Sequence, residues 1–252
     1  MDKLYGQGVK MTETDLANRV AIVTGGGTGI GKAISQSLAN EGAYVVVCGR
    51  RIEPLEETVG QIVSLGGKAH SHQLDVSSDV QVAELVDRVL LELGRVDILV
   101  NNAGISGGGY IHEHDVKVWD DIVAINLRGP FLMARAVLPL MRGQKSGHIL
   151  NISSESGFEY YPGDGAYGVT KHALNALGEF IQRENQDLGI RVDTICPGMV
   201  VTPMSKGSAG LDEEKCLYPE DVAELALWLL SRRVNVKIGR PVLIQTMQNP
   251  WQ

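Results

Sequence analysis

Tyr167 and Lys171 stand four residues apart in a segment that reads as a helix from about Ala166 onward, so both side chains emerge on one face. A free phenol titrates at about 10, too high for a base at neutral pH, and a neighbouring ammonium favours its ionised form. Lowering it by about three units needs about 4 kcal/mol of differential stabilisation. The pair is suited to proton transfer. Alone, the same spacing also suits an exposed pair on a helix.

A second constellation lies near the start of the chain, where a short apolar run leads into Thr24-Gly25-Gly26-Gly27-Thr28-Gly29-Ile30-Gly31 and then a helix through Leu38 and Ala39. Glycines there let the backbone turn sharply and approach a pyrophosphate, whose charge is favoured by the positive end of the helix dipole. Gly31 leaves room for helix to pack on strand. At the end of the second apolar run, where a carboxylate would hold ribose hydroxyls, stand Gly49, Arg50 and Arg51. Guanidinium groups there can clasp a 2′-phosphate, which predicts NADP(H) as the cofactor. Two solvated surface arginines are the alternative.

Positioning these groups requires a regular scaffold. Short apolar, β-branched runs recur at 19–25, 44–50, 68–76, 96–104, 147–154, 190–198 and 240–246, each closed by turn residues. Helix-length segments separate them; from Asp79 to Leu93, the residues Val82, Leu85, Val86, Val89, Leu90 and Leu93 follow helical spacing. Seven strands alternating with six helices predict an α/β doubly wound Rossmann fold, its seven-stranded sheet mostly parallel with helices on both faces. Residues 1–15 read as a flexible lead-in and 16–252 as one domain.

The formal charge of -7 argues against nucleic acid as a dedicated partner. Cys48, Cys196 and Cys216 form no CxxC pair, which predicts a reducing, cytoplasmic setting. No run of about 18 apolar residues suggests a membrane span. His112, Glu113, His114 and Asp115 are too close in sequence to converge as metal ligands, so no metal is expected. Ser154 lacks a GxSxG context, which argues against a hydrolase.

The glycine spacing TGxxxGxG, the YxxxK pair and further motifs along nearly the whole chain resemble the short-chain dehydrogenase/reductase family. Ser154, thirteen residues before Tyr167, matches the family's serine, and Asn126 in AINLRG its fourth catalytic position. The resemblance implies that Tyr167 donates a proton to a carbonyl oxygen while hydride arrives from the nicotinamide. Ser154 would orient that oxygen, Lys171 would lower the tyrosine pKa and hold ribose hydroxyls, and Asn126 would position a water through its backbone carbonyl.

The resemblance also implies a cofactor shell. Asp75 and Val76 would meet the adenine, and Asn101, Asn102, Ala103 and Gly104 the adenosine side. Ile152, Pro197, Gly198, Val200 and Thr202 would lie toward the nicotinamide. Asp75 read alone suits a helix N-cap equally, and Asn101 a buried turn. Gly104 to Tyr110, Glu155, Phe158, Tyr160, Tyr161, Met199 and Met204 are candidate pocket residues, suggesting a fairly apolar carbonyl substrate. A homo-oligomer, tetramer or dimer, is implied, with Trp228 as an interface residue. A secondary-alcohol dehydrogenase (sugar, steroid or polyol) running oxidatively and a catalytically quiet dinucleotide sensor are the competing readings. The chain departs from the family in its ending, IGRPVLIQTMQNPWQ, and in a short segment after Thr202.

Overall fold

The computed structural model describes residues 16–206, 208, 210–233 and 235–251. The expected lead-in of residues 1–15 lies outside them. Seven strands form one sheet: β1 (Val20–Thr24), β2 (Tyr44–Gly49), β3 (Lys68–Gln73), β4 (Ile98–Asn101), β5 (Gly147–Ile152), β6 (Ile190–Pro197) and β7 (Val242–Ile244). Their order is β3-β2-β1-β4-β5-β6-β7, and every pairing is parallel. The sheet is thus wholly parallel where a mostly parallel one was predicted.

Helices α1 (Gly29–Asn40), α2 (Ile52–Ser64) and α7 (Pro219–Leu230) cover one face. The other carries α3 (Asp79–Leu93), α4 (Val116–Val123), α5 (Gly129–Gln144) and α6 (Gly165–Asn185). Side chains of a strand alternate between faces, so Ala21 and Val23 pack under α1 while Val20 and Ile22 pack with the α3 side. Burial on both faces explains why β1, β2, β4, β5 and β6 are mostly apolar, whereas the edge strands β3 and β7 are only partly buried. Helix α3 begins at Ser78, whose side chain accepts from the Gln81 amide, and ends at Gly94 with φ 74°. Its limits match the predicted segment, although Leu90 is exposed, not part of the buried stripe.

One expectation is corrected here. The helical run Val116–Gln144 is long and apolar enough to cross a membrane by length and composition. It was missed because Asp120, Asp121, Asn126 and Arg128 interrupt the apolar sequence. In the fold, Ile125, Met133, Val137 and Met141 of this run are buried in the core against the sheet. Its middle, Ala124–Arg128, is a π-turn separating α4 from α5.

The strand order reverses between β1 and β4, because β2 and β3 lie on one side and β5 to β7 on the other. In such sheets the loops at the carboxyl ends of the strands diverge at that point and leave a crevice.

Candidate active site

The loop from β1 to α1 is shaped by close approach. Gly25 has φ +64°, and a Cβ there would lie 2.9 Å from Asn102 Nδ2; one on Gly31 would lie 2.3 Å from the Gly25 carbonyl oxygen. Asn102 pins the turn, donating through Nδ2 to the carbonyls of Thr24 (3.0 Å) and Gly25 (3.2 Å). Thr24 Oγ1 accepts from the Asn102 and Ala103 amides. Asn101 is buried in β4 and donates to Asn151 Oδ1 at 2.9 Å, so it ties strands rather than forming a turn. Thr28 is the N-cap of α1 but makes no side-chain cap hydrogen bond, and the first helical turn carries no acid. A helix start of this kind suits an anion.

A cleft of about 260 Å³ opens above this loop. Gly25, Gly27, Thr28, Gly29 and Ile30 form its middle, and Arg50, Arg51, Asp75 and Val76 also line it. Asn102, Ala103, Gly104, Ile152, Tyr167, Lys171 and Thr202 line it as well. Gly31 does not; it is buried at the helix–strand contact. Arg50 and Arg51 are exposed, and among the described residues neither forms an ion pair. Asp75 is not an N-cap, since Ser78 takes that role. Its carboxylate accepts from the Ser77 hydroxyl (2.7 Å) and amide (2.9 Å), and the Ser77 hydrogen bonds hold it below the usual carboxylate range.

Ser154 leaves β5 in extended conformation, and its Oγ accepts from the Ser156 amide at 3.1 Å. It lies near enough to the Tyr167 side chain to favour the ionised phenol. Lys171, one turn further along α6, is 4 % exposed; its Nζ lies 5.3 Å from the Tyr167 ring centroid and donates to the Ile152 carbonyl at 3.0 Å. Burial pushes the Tyr167 phenol up to about 12, against the lowering effect of Ser154, and brings the Lys171 ammonium down to about 8. Desolvation is the largest influence on both groups.

Asn126 lies in the π-turn, buried and outside the cleft. Its Oδ1 accepts from the Ile105 amide (2.9 Å), while Nδ2 donates to the Ile105 carbonyl (2.8 Å) and to Thr170 Oγ1 (3.3 Å). The side chain is spent on holding the loop after β4 against α6. Such turns recur at functional sites because they break the regular hydrogen-bond ladder.

A second cavity of about 510 Å³ shares Ile30, Ser153, Tyr167, Thr202 and Met204 with the cleft. Ser154, Pro197, Gly198 and Val200 line it. Of the predicted pocket residues Ser106, Glu155, Tyr161, Met199 and Met204 are present. Tyr110, Phe158 and Tyr160 are not among its walls; Tyr160 stacks on His172 at 4.9 Å. Sequence reading missed Ser156, Asp164 and Trp251. Asp164 had a signal in its position three residues before Tyr167. Trp251 had none, since it arrives by the tail folding back after β7. Thr246 Oγ1 there donates to the Lys215 carbonyl at 2.7 Å, and the Asp212 amide to the Pro250 carbonyl at 2.9 Å. Among the described residues no group of three or more His, Cys, Asp or Glu could hold a metal ion.

These features are shared with known proteins. The short chain dehydrogenase family model matches residues 19–210. An uncharacterized oxidoreductase of Staphylococcus saprophyticus is 37% identical over 233 residues, covering 90% of this chain and 99% of that one. Among solved structures, a metagenomic short-chain oxidoreductase in complex with NADP superposes with a TM-score of 0.82 at 34% identity, covering 93% of this chain and 100% of that one. An alcohol dehydrogenase from the archaeon Thermococcus sibiricus, complexed with 5-hydroxy-NADP, gives 0.84 at 29% identity over 93% and 97%.

Proposed function

The chain belongs to the short-chain dehydrogenase/reductase family of oxidoreductases, and on that premise we propose that it uses NADP(H) to interconvert a carbonyl compound and its secondary alcohol, with Tyr167 as acid and base. The observation that carries this reading is the position of Tyr167 in the wall common to two adjoining cavities, with Ser154 lining the second beside it.

The cleft fits a dinucleotide: its glycine turn has no room for side chains, and the start of α1 has no internal acid or side-chain cap. Gly25 to Ile30 would hold the pyrophosphate, and Arg50 and Arg51 the 2′-phosphate. Asp75 and Val76 would meet the adenine, and Lys171, Ile152, Pro197, Gly198, Val200 and Thr202 would surround the nicotinamide end. When bound, the cofactor supplies or accepts hydride.

Tyr167 gives its hydroxyl proton to the substrate oxygen during reduction and removes it during oxidation. A phenol held near 12 stays protonated at neutral pH and is an acid in waiting. Ser154 donates to the same oxygen and fixes its direction. Lys171, charged below about 8, offsets the negative charge that appears as the proton leaves. Asn126 is a positioning residue, holding the loop at Ile105. A reducing cytoplasm is the proposed setting, in keeping with three free, buried cysteines.

The NADP(H) assignment is tested by kcat/KM with NADPH and NADH on a common ketone. NADPH should be favoured at least about tenfold, a difference of about 1.4 kcal/mol. Arg50→Asp should reverse most of that preference. Equal use of both cofactors by the parent protein overturns the assignment.

A further inference from the structure

The cavity beside Tyr167 is lined by two carboxylates. Glu155 follows Ser154, and Asp164 precedes α6 three residues before Tyr167. No lysine, arginine or histidine lines this cavity among the described residues. Neither acid forms an ion pair among them. Both are nonetheless held in place. Glu155 accepts from the Gln245 side-chain amide of the tail and lies beside Tyr161, and Asp164 lies beside Ser156.

These charges bear on whatever enters. Burial raises the Asp164 carboxyl, and Asp164 and Glu155 both add to the upward push on the Tyr167 phenol. The two carboxylates therefore make the substrate side of the candidate reacting centre acidic, while the Lys171 cation faces the cleft on the other side of Tyr167. A substrate with its own carboxylate or phosphate meets like charges in a partly desolvated space, where repulsion is poorly screened. A substrate with hydroxyl or ammonium hydrogens finds fixed acceptors instead. Apolar walls at Met199, Met204 and Trp251 leave room for a hydrocarbon body beside that polar head.

We propose that Glu155 and Asp164 select the substrate by charge: it is a carbonyl compound with a hydrogen-bond-donating hydroxyl or ammonium group near the reacting carbon, and it is not an acid. This rests on the oxidoreductase reading above and narrows it. The two acids are specificity residues; proton transfer stays with Tyr167.

The test compares four carbonyl compounds of matched length, namely a neutral diketone, a hydroxyketone, an aminoketone and a keto acid, each with NADPH. In the parent protein the keto acid should show kcat/KM at least about tenfold below the better of the hydroxyketone and aminoketone, and 0.5 M salt should narrow the gap. The relative rates of those two compounds identify the donor. In Glu155→Gln/Asp164→Asn the ratio should shrink to about threefold or less. Because the readout is a ratio within one preparation, partial misfolding of the variant cancels; if the variant does not fold, the parent ratio and its salt response decide.

Turnover of the diketone with a keto acid equally fast, or a ratio unchanged in the folded variant, overturns this inference alone. Absence of turnover for every compound counts against the oxidoreductase reading. In that event, thermal-shift binding of the corresponding alcohol, amine and carboxylate still reads the charge preference. Tighter binding of the carboxylate overturns it.

Discussion

Replacing Tyr167 by Phe removes one oxygen from the wall between the two cavities and should leave the fold intact, since Ser154 keeps its bond from the Ser156 amide. Carbonyl reduction should fall by about 10²–10⁴-fold, the usual contribution of a positioned acid, while NADPH binding measured by nucleotide fluorescence stays within a few-fold. Retained turnover in that variant counts against the assigned acid. The reductive pH profile carries a second prediction. Tyr167 stays protonated to about 12, so the first group to change on raising pH is Lys171, which burial brings to about 8. Reductive kcat/KM, read over pH 6 to 10, should be flat below about 8 and fall above it as the ammonium is lost. The YxxxK spacing was enough to pair these residues on one helical face. What it did not convey was the sign of the phenol's shift, because burial by the chain around it is a property of packing, not of spacing. Asp75 shows the same limit: only the fold distinguished a carboxylate bonded to Ser77 from a helix cap.

At the scale of elements, β5, β6 and α7 are joined by a buried ionic network. Arg191 Nη1 donates to the carbonyls of Arg232, Arg233 and Val236 in the segment after α7, and its Nη2 donates to the Leu229 carbonyl in the last turn of α7 and to His148 Nδ1 at 3.0 Å. Arg191 Nε also lies 3.3 Å from His148 Nε2, and that nitrogen meets Asp193 Oδ2 at 2.8 Å, so the imidazole is held between the guanidinium and the carboxylate. Burial holds the His148 pKa below its ordinary value, despite the raising effect of Asp193. The unfolded chain then binds a proton near pH 6.5 that the native state refuses, so stability is full above about 6.5 and declines as pH falls through that value. Urea midpoints should drop between pH 7.5 and 5.5, and the drop should shrink in His148→Gln; identical pH responses in the two proteins refute this account. Asp193→Asn at pH 7.5 should destabilise by about 3–5 kcal/mol, because it leaves Arg191 buried without its counter-charge. The strands themselves were legible, since burial on both faces writes a run of Val and Ile. The π-turn was not: nothing in AINLRG separates it from the helices on either side.

At the scale of the molecule, the parallel sheet and its two-sided helical cover followed from the alternation of elements. The placement of the tail did not, because Trp251 reaches the cavity only through contacts made after β7 pairs with β6. Exposed apolar side chains bear on assembly. Val169 and Phe180 lie three turns apart along one face of α6, and Phe131 is exposed on α5. With Trp228 on α7, half-exposed beneath the Arg232 guanidinium, these are the surfaces through which a dimer or tetramer is proposed to form. Sedimentation should give a species larger than the monomer, and Phe131→Asp/Phe180→Asp should dissociate it; a monomeric parent protein at micromolar concentration removes the proposal. The reversal of strand order has one more effect, in time. β1 lies inside the sheet between β2 and β4, yet its β4 neighbour is far along the chain: Ala21 pairs with Ile98 and Val23 with Val100. During synthesis at about 5–20 residues per second, one edge of β1 stays bare for several seconds after β2 has closed the other. A nascent chain in that interval offers the ribosome's surroundings an unpaired apolar strand. Slowing translation just beyond Asn101 should therefore raise the yield of soluble protein, whereas slowing it before Ile98 should lower it.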